Sequence, residues 1–197
     1  DDPTTAGWLV DRAAMLHDAG DPTAESAYRE AIALAERVLP VDDPALASAR
    51  QGLGNWLLAA DRAAEAVPLY RAALATREAI YGPDDAATMR SAERLGRALW
   101  ATDDVAGAEA LFRRVLAYRE ATAGPDTASA ADMLRWIGRA EDARGALADA
   151  EITYKRVLAI SEAVSGPDDP LTGFDLIALG QLYSAQQRFS ESRPLIE

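Results

Sequence analysis

The sequence predicts an all-α solenoid built from helix–turn–helix units, about four full ones and a partial fifth. Three observations carry this. Four separate residue classes repeat with one period of 42. Helix-starting and helix-stopping residues recur at the same interval. The composition is 49% hydrophobic but only 7% aromatic, with Ala dominant. A core made largely of Ala needs elements that approach closely, and helices allow this because Ala is the strongest helix former.

The period is read directly. Gly82-Pro83, Gly124-Pro125 and Gly166-Pro167 stand 42 apart, each followed by Asp. Leu53-Gly54, Leu95-Gly96, Ile137-Gly138 and Leu179-Gly180 share that spacing. So do Ala24, Ala66, Ala108 and Ala150, with Ser192 in the fifth slot, and Tyr28, Tyr70, Phe112 and Tyr154. A fixed period of this length is the signature of a repeat architecture. The predicted units are 1–41, 42–83, 84–125, 126–167 and an incomplete 168–197.

Each unit reads as two helices. The first starts at Asp43-Pro44, a capping Asp before a Pro suited to the first helical position, and Asp169-Pro170 repeats the signal. Leu46, Leu53, Trp56 and Leu57 then fall on one side at helical spacing. A break follows at 60–63, with Asp61 as a cap. The second helix is predicted over about 64–80, with Leu69, Tyr70, Ala73 and Leu74 inward. Gly82-Pro83 ends it, because Gly tolerates the left-handed terminal conformation and Pro cannot continue a helix. Pro68 and Pro194 predict slight kinks early in second helices.

Gly in a helix interior costs about 1 kcal/mol relative to Ala. The expected compensation is close crossing, Gly54 against Ala66, with Tyr70, Phe112 and Tyr154 filling the gap toward the next unit. In the first unit, matching Asp1-Asp2-Pro3 to Asp42-Asp43-Pro44 gives a spacing of 41 and places Ala13 in the small slot. One residue is then missing from the turn at 18–21.

The net charge of −12 disfavours nucleic acid and anionic membranes. No apolar run approaches the roughly 20 residues of a membrane-spanning helix. The chain has no Cys, which excludes disulfides and thiolate chemistry and fits a reducing cytoplasm. Lys155 is the only Lys among many Arg, as in high-GC bacterial coding. Beginning without Met and stopping at Glu197 in mid-helix, the chain reads as a piece of a longer protein.

The spacing of Gly54, Ala66, Tyr70 and Ala73 resembles the tetratricopeptide repeat. Leu69-Tyr70-Arg71-Ala72-Ala73-Leu74 leading to Gly82-Pro83-Asp84-Asp85 is similar to the kinesin-light-chain type of that family. The resemblance implies a right-handed superhelix, with first helices lining a concave groove that takes a peptide or protein segment. The alternative it implies is a sensing module attached to a bacterial ATPase or transcriptional regulator. The paired Asn of kinesin light chains is replaced by Gln51-Gly52, Glu93-Arg94, Arg135-Trp136 and Ile177-Ala178, so that family's cargo preference does not transfer.

Helix geometry then selects groove candidates. Arg90, Arg94 and Arg97 lie close to one face of a helix, with Arg135 and Arg139 on the next unit's first helix. Trp100 and Trp136 are near, Trp8 and Trp56 read as packing, and Gln51, Asn55 and Gln181 add amides. Two readings stand. Arg grips carboxylates through paired bonds, so the patch is a clamp for an acidic or carboxylate-terminated peptide anchored on a Trp. Alternatively Glu93 pairs with Arg90 and Arg97, and Asp132, Glu141 and Asp142 with Arg135 and Arg139, as solvated pairs.

The paired acids at 42–43, 84–85, 103–104 and 168–169 read as helix caps, because none has the alternating spacing of a calcium loop. His17, the single His, reads as a surface residue. Gly52-Leu53-Gly54 follows no strand and lacks the downstream Lys of a phosphate loop. No catalytic constellation, metal site or cofactor motif is present, so the expected function is interaction with a protein or peptide, not catalysis. Self-association through the incomplete last unit, where Leu195 and Ile196 lack a following neighbour, is a further expectation.

Overall fold

The computed structural model describes residues 2–196; Asp1 of the aligned Asp1-Asp2-Pro3 triplet, and Glu197, lie outside it. Among the described residues there are ten helices: α1 (Pro3–Asp18), α2 (Ala24–Val38), α3 (Pro44–Ala59), α4 (Ala63–Tyr81), α5 (Ala86–Ala101), α6 (Val105–Ala123), α7 (Ala128–Ala143), α8 (Leu147–Val164), α9 (Pro170–Ala185) and α10 (Phe189–Ile196). They form two compact units, one ending at Asp104 and one starting at Val105. In the first, α1 to α5 pack as successive neighbours, and α1 also touches α3. In the second, α6 to α10 do the same.

Every first helix is 16 residues long and starts on a cap. Asp43 accepts from the Ala45 N–H at 2.7 Å, Asp85 from Ala87 at 2.7 Å and Asp169 from Leu171 at 2.8 Å. Thr127 replaces Asp in the fourth unit and accepts from Ala130 at 3.2 Å. In the pairs 42–43, 84–85 and 168–169 the second Asp is therefore the cap, satisfying an otherwise orphan donor, whereas Asp103 of the pair 103–104 is a turn residue with φ 64°.

Each first helix ends the same way. Gly20, Asp61, Asp103, Gly145 and Gln187 all have φ between 59° and 75°. The next N–H reaches back five residues, as Arg62 N–H does to the Leu57 carbonyl at 2.8 Å and Arg188 N–H to Tyr183 at 2.9 Å. This is the left-handed closure of a helix C-terminus. Asp61 is thus the turn residue and not the cap of α4, whose flanking residue Arg62 makes no capping bond with its side chain. The turn residues are 42 apart except for Gly20 and Asp61, 41 apart, just as Pro3 and Pro44 are. Helix α4 runs continuously through Pro68, and α10 through Pro194.

The helical glycines answer to the aromatic slot. A Cβ on Gly54 would lie 3.0 Å from the Tyr70 ring, and one on Gly138 would lie 2.7 Å from Tyr154 Cε1. In the fifth unit Gly180 faces Ile196 in the same way, at 2.6 Å. The expected pairing of Gly54 with Ala66 is corrected: the nearest neighbour is the fully buried Tyr70 ring. The aromatic also meets the next unit. Tyr28 covers Gly52 at 2.4 Å from a notional Cβ, and the Phe112 ring stacks on Trp136 with centroids 5.4 Å apart.

Ion pairs tie each second helix to the turn or helix start of the following unit. Glu25 accepts from Arg62 at 2.8 Å and from Arg29 at 2.8 Å. Glu151 accepts from Arg188 and from Lys155. Glu109 pairs with Arg113 at 2.9 Å and Arg144 at 2.9 Å. Between the second and third units the polarity is reversed, with Arg71 facing Asp104 at 4.0 Å. Buried Glu141 adds a bond from Arg113 at 2.6 Å.

Candidate functional site

In the first unit α3 and α5 bring Gln51, Asn55, Arg90, Arg94 and Arg97 together. The Tyr70 hydroxyl donates to Asn55 Oδ1 at 2.9 Å, and Arg94 Nη1 donates to the same oxygen at 3.0 Å. Burial pushes the Tyr70 hydroxyl up to about 12, against a smaller opposing pull from Arg94. The phenol is therefore a proton donor at neutral pH and locks the Asn55 amide. Asn55 in turn aims the Arg94 guanidinium.

A cavity of about 450 Å³ opens beside this relay, lined by His17, Asn55, Leu58, Ala59, Tyr70, Arg94 and Arg97. A second recess of about 250 Å³ is lined by Arg90, Glu93, Arg94 and Arg97. Arg97 pairs with Glu93 at 2.7 Å. Arg77 donates to Gln51 and Ser91, both neutral. Burial chiefly, then Arg90 and Arg94, pull the Arg77 guanidinium below its ordinary range. Among the described residues, Arg77, Arg90 and Arg94 have no carboxylate within ion-pair distance. Elsewhere Arg29, Arg50, Arg62, Arg113, Arg135, Arg144, Arg156 and Arg188 each have one.

His17 is not a plain surface residue. It stands edge-on to Trp56 at 5.4 Å and to Tyr28 at 6.0 Å, half-buried at the cavity wall. The sequence signal was its place in the last turn of α1, next to the 41-residue offset. Trp8, read as packing, is 63% exposed. Trp100 is half-buried near the end of α5.

In the second compact unit, on α7 of the fourth repeat, Arg135 is fully engaged. It grips Asp175 with Nε at 2.7 Å and Nη2 at 2.8 Å, and it also reaches Ser161 and Asp132, each at 2.9 Å. Trp136, half-buried, stacks on Phe112, and the Arg139 guanidinium lies 5.3 Å from the Trp136 ring centre. Gln181 is exposed on α9. The expected pairing of Glu141 with Arg135 or Arg139 is corrected, since Glu141 turns to Arg113. No helix among the described residues is long and apolar enough to cross a membrane.

Helix pairs that recur every 41 or 42 residues, each closed by a left-handed turn and knitted to the next pair, define a helical-repeat scaffold of the kind used for protein interaction. The chain belongs to the tetratricopeptide repeat family, whose model matches residues 4–79, 52–121 and 129–197. Among solved structures it is similar to the Podosopora anserina putative kinesin light chain with nearly identical TPR-like repeats. The two share 20% identity, with 98% of this chain and 92% of that one covered and a TM-score of 0.82. It is also similar to BtubC (BKLC) from P. vanneervenii at 23% identity, with 98% and 79% covered and a TM-score of 0.79. YrrB, described as a TPR protein with an unusual peptide-binding site, matches at 18% identity, with 95% and 80% covered and a TM-score of 0.66. These likenesses establish the fold. No curated protein matches the sequence.

Proposed function

We propose that the chain binds an acidic segment of a partner protein at the α3–α5 face of its first unit. The segment supplies either acidic side chains or a free C-terminal carboxylate. One observation carries the reading. Three guanidinium groups, Arg77, Arg90 and Arg94, cluster with no carboxylate partner among the described residues, in a chain holding 32 acidic and 20 basic side chains. Gathering like charges without a counter-ion costs electrostatic free energy. An incoming carboxylate relieves that cost and gains the bidentate geometry a guanidinium offers. The mixed lining of the larger cavity, with Leu58 and Tyr70 beside Arg94 and Arg97, suits an acidic residue next to an apolar one.

The test is fluorescence anisotropy with labelled Asp/Glu-rich peptides, each made with a free and an amidated C-terminus. A well-made charged hydrogen bond contributes about 1.5–3 kcal/mol. Arg94→Ala is therefore expected to weaken binding roughly ten- to a hundredfold. Arg90→Ala should weaken it less, and Arg139→Ala, in the other unit, should leave it unchanged. Equal affinity of the wild type and the Arg90/Arg94 double variant would refute the reading. A loss on amidation alone would assign the ligand as a C-terminus.

A further inference from the structure

The recess of about 250 Å³ beside α5 gathers more positive charge than one carboxylate balances. Of its four lining residues, Glu93 is committed to Arg97 at 2.7 Å. Arg90 and Arg94 remain, both exposed and neither with a carboxylate partner among the described residues. Arg77, on the adjoining α4, is a third guanidinium close enough for the charges of Arg90 and Arg94 to weigh on its own. Two of the three are held by neutral acceptors: Arg94 by Asn55 at 3.0 Å, and Arg77 by Gln51 and Ser91. Their positions are fixed while their charge is not offset, which is preorganisation for an anion.

The stacking of helix pairs does not require this cluster. At the 42-residue period the slot of Arg77 holds Ala35, Arg119 and Ser161. That of Arg90 holds Ser48, Asp132 and Phe174, and that of Arg94 holds Gly52, Trp136 and Ala178. The corresponding helices form all the same. In those slots three Arg coincide at one place in the array, inside it and with packed helices on both sides of α4.

A carboxylate brings a single charge and two oxygens to such a site. A phosphate monoester brings about −1.5 to −2 charges at neutral pH and three strong acceptor oxygens. Guanidinium groups bind it in the same paired geometry they offer a carboxylate. Glu93 lines the same recess, and placing like charges side by side is penalised. Several carboxylates spread along α5 meet that penalty, and one compact dianion on Arg90 and Arg94 meets less of it. We infer that the acidic segment carries a phosphorylated side chain, whose phosphoryl group enters this recess against Arg90 and Arg94 while Arg77 adds charge from α4. The inference rests on the acidic-segment reading of this face and names the anion that the face selects.

Fluorescence anisotropy on the full 197-residue chain tests this with one labelled, C-terminally amidated Asp/Glu-rich peptide whose central residue is Ser, Glu or phosphoserine. One further charged hydrogen bond corresponds to about tenfold in affinity, so phosphoserine should bind at least about tenfold tighter than Glu. Arg90→Ala, at an exposed position, should erase that advantage while changing the Glu peptide little, and circular dichroism checks its fold. Because the second phosphate ionisation lies near pH 6, the advantage should shrink from pH 7.5 to about 5.5 relative to the Glu peptide. Inorganic phosphate, compared with chloride at equal ionic strength, should compete only weakly. Equal affinity of the phosphoserine and Glu peptides would overturn the inference and leave the acidic-segment reading standing, whereas no binding of any peptide would overturn both. An advantage that survives Arg90→Ala, or inorganic phosphate binding as tightly as the phosphopeptide, would also overturn it.

Discussion

Asp175 is the most informative position to perturb. Its side chain is nearly fully buried, between two bonds from Arg135 and one from the Ser161 hydroxyl at 2.6 Å. Asp175→Ala removes the carboxylate and leaves a half-buried guanidinium and a buried hydroxyl without their acceptor. Breaking a buried pair from one side costs about 3–5 kcal/mol. Arg135 is 23% exposed and keeps Asp132 at 2.9 Å, so some charge is recovered by water and by that partner. The expected loss is therefore smaller, about 2–3 kcal/mol. In urea, with a slope of about 2 kcal/mol/M, the midpoint should fall by roughly 1–1.5 M at unchanged slope. Asp132→Ala, at a 57% exposed carboxylate, should cost less than about 0.5 kcal/mol. In a double-mutant cycle with Arg135→Ala the two losses should be strongly non-additive. A cost below about 1 kcal/mol for Asp175→Ala, or simple additivity, would refute the assignment of this pair as the joint between the fourth and fifth units.

Gly138→Ala should destabilise by about 1–3 kcal/mol in thermal unfolding, because the new methyl meets the Tyr154 ring at 2.7 Å and overrides the gain in helix propensity. Gly7→Ala in α1, with nothing within 4 Å, should stabilise by up to about 1 kcal/mol. Asp43→Ala should cost about 1 kcal/mol as a lost cap. The Arg188 bond chiefly, with Lys155 second, lowers the Glu151 carboxyl to about 2. A depressed folded-state value stabilises above the ordinary carboxylate range and is lost on acidification. Stability measured from pH 5 to 2 should fall more steeply in wild type than in Glu151→Gln, and parallel curves would rule this out.

The repeat and its helices were legible because each rests on local chemistry: a capping Asp, a Pro at the first position and a Gly at the end. The role of the helical glycines was legible only in part. Sequence gives the spacing of Gly54 and Tyr70 but not which side chain of the second helix crosses the first, since Ala66 and Tyr70 share a face. The ion pairs between units were missed although Glu25, Glu109 and Glu151 keep the period. The second slot holds Val67, and Arg144 sits two residues off the position of Arg62, so no column of like residues stands out. Within the candidate site, the Arg cluster was visible as an arrangement on one helix. The relay from Tyr70 through Asn55 was not, because it joins residues on three helices. Arg135 and Arg94 read as members of one basic set in sequence, although Arg135 shares its slot with Gln51 and not with Arg94. Asp175, 40 residues downstream, holds Arg135, where Ser91 stands in the same relation to Gln51; Arg94 bonds instead to the neutral Asn55.

The reversed polarity of Arg71 and Asp104 makes the order of the repeats chemically readable. A deletion of residues 62–103 would remove α4 and α5 and keep the 42-residue phase of the remaining helices, yet it would bring Asp104 opposite Glu25 and set two carboxylates face to face. Removing residues 62–187 would instead bring Arg188 to that place and rebuild an attractive pair. At this junction the sign of the turn residue therefore decides which unit can follow the first.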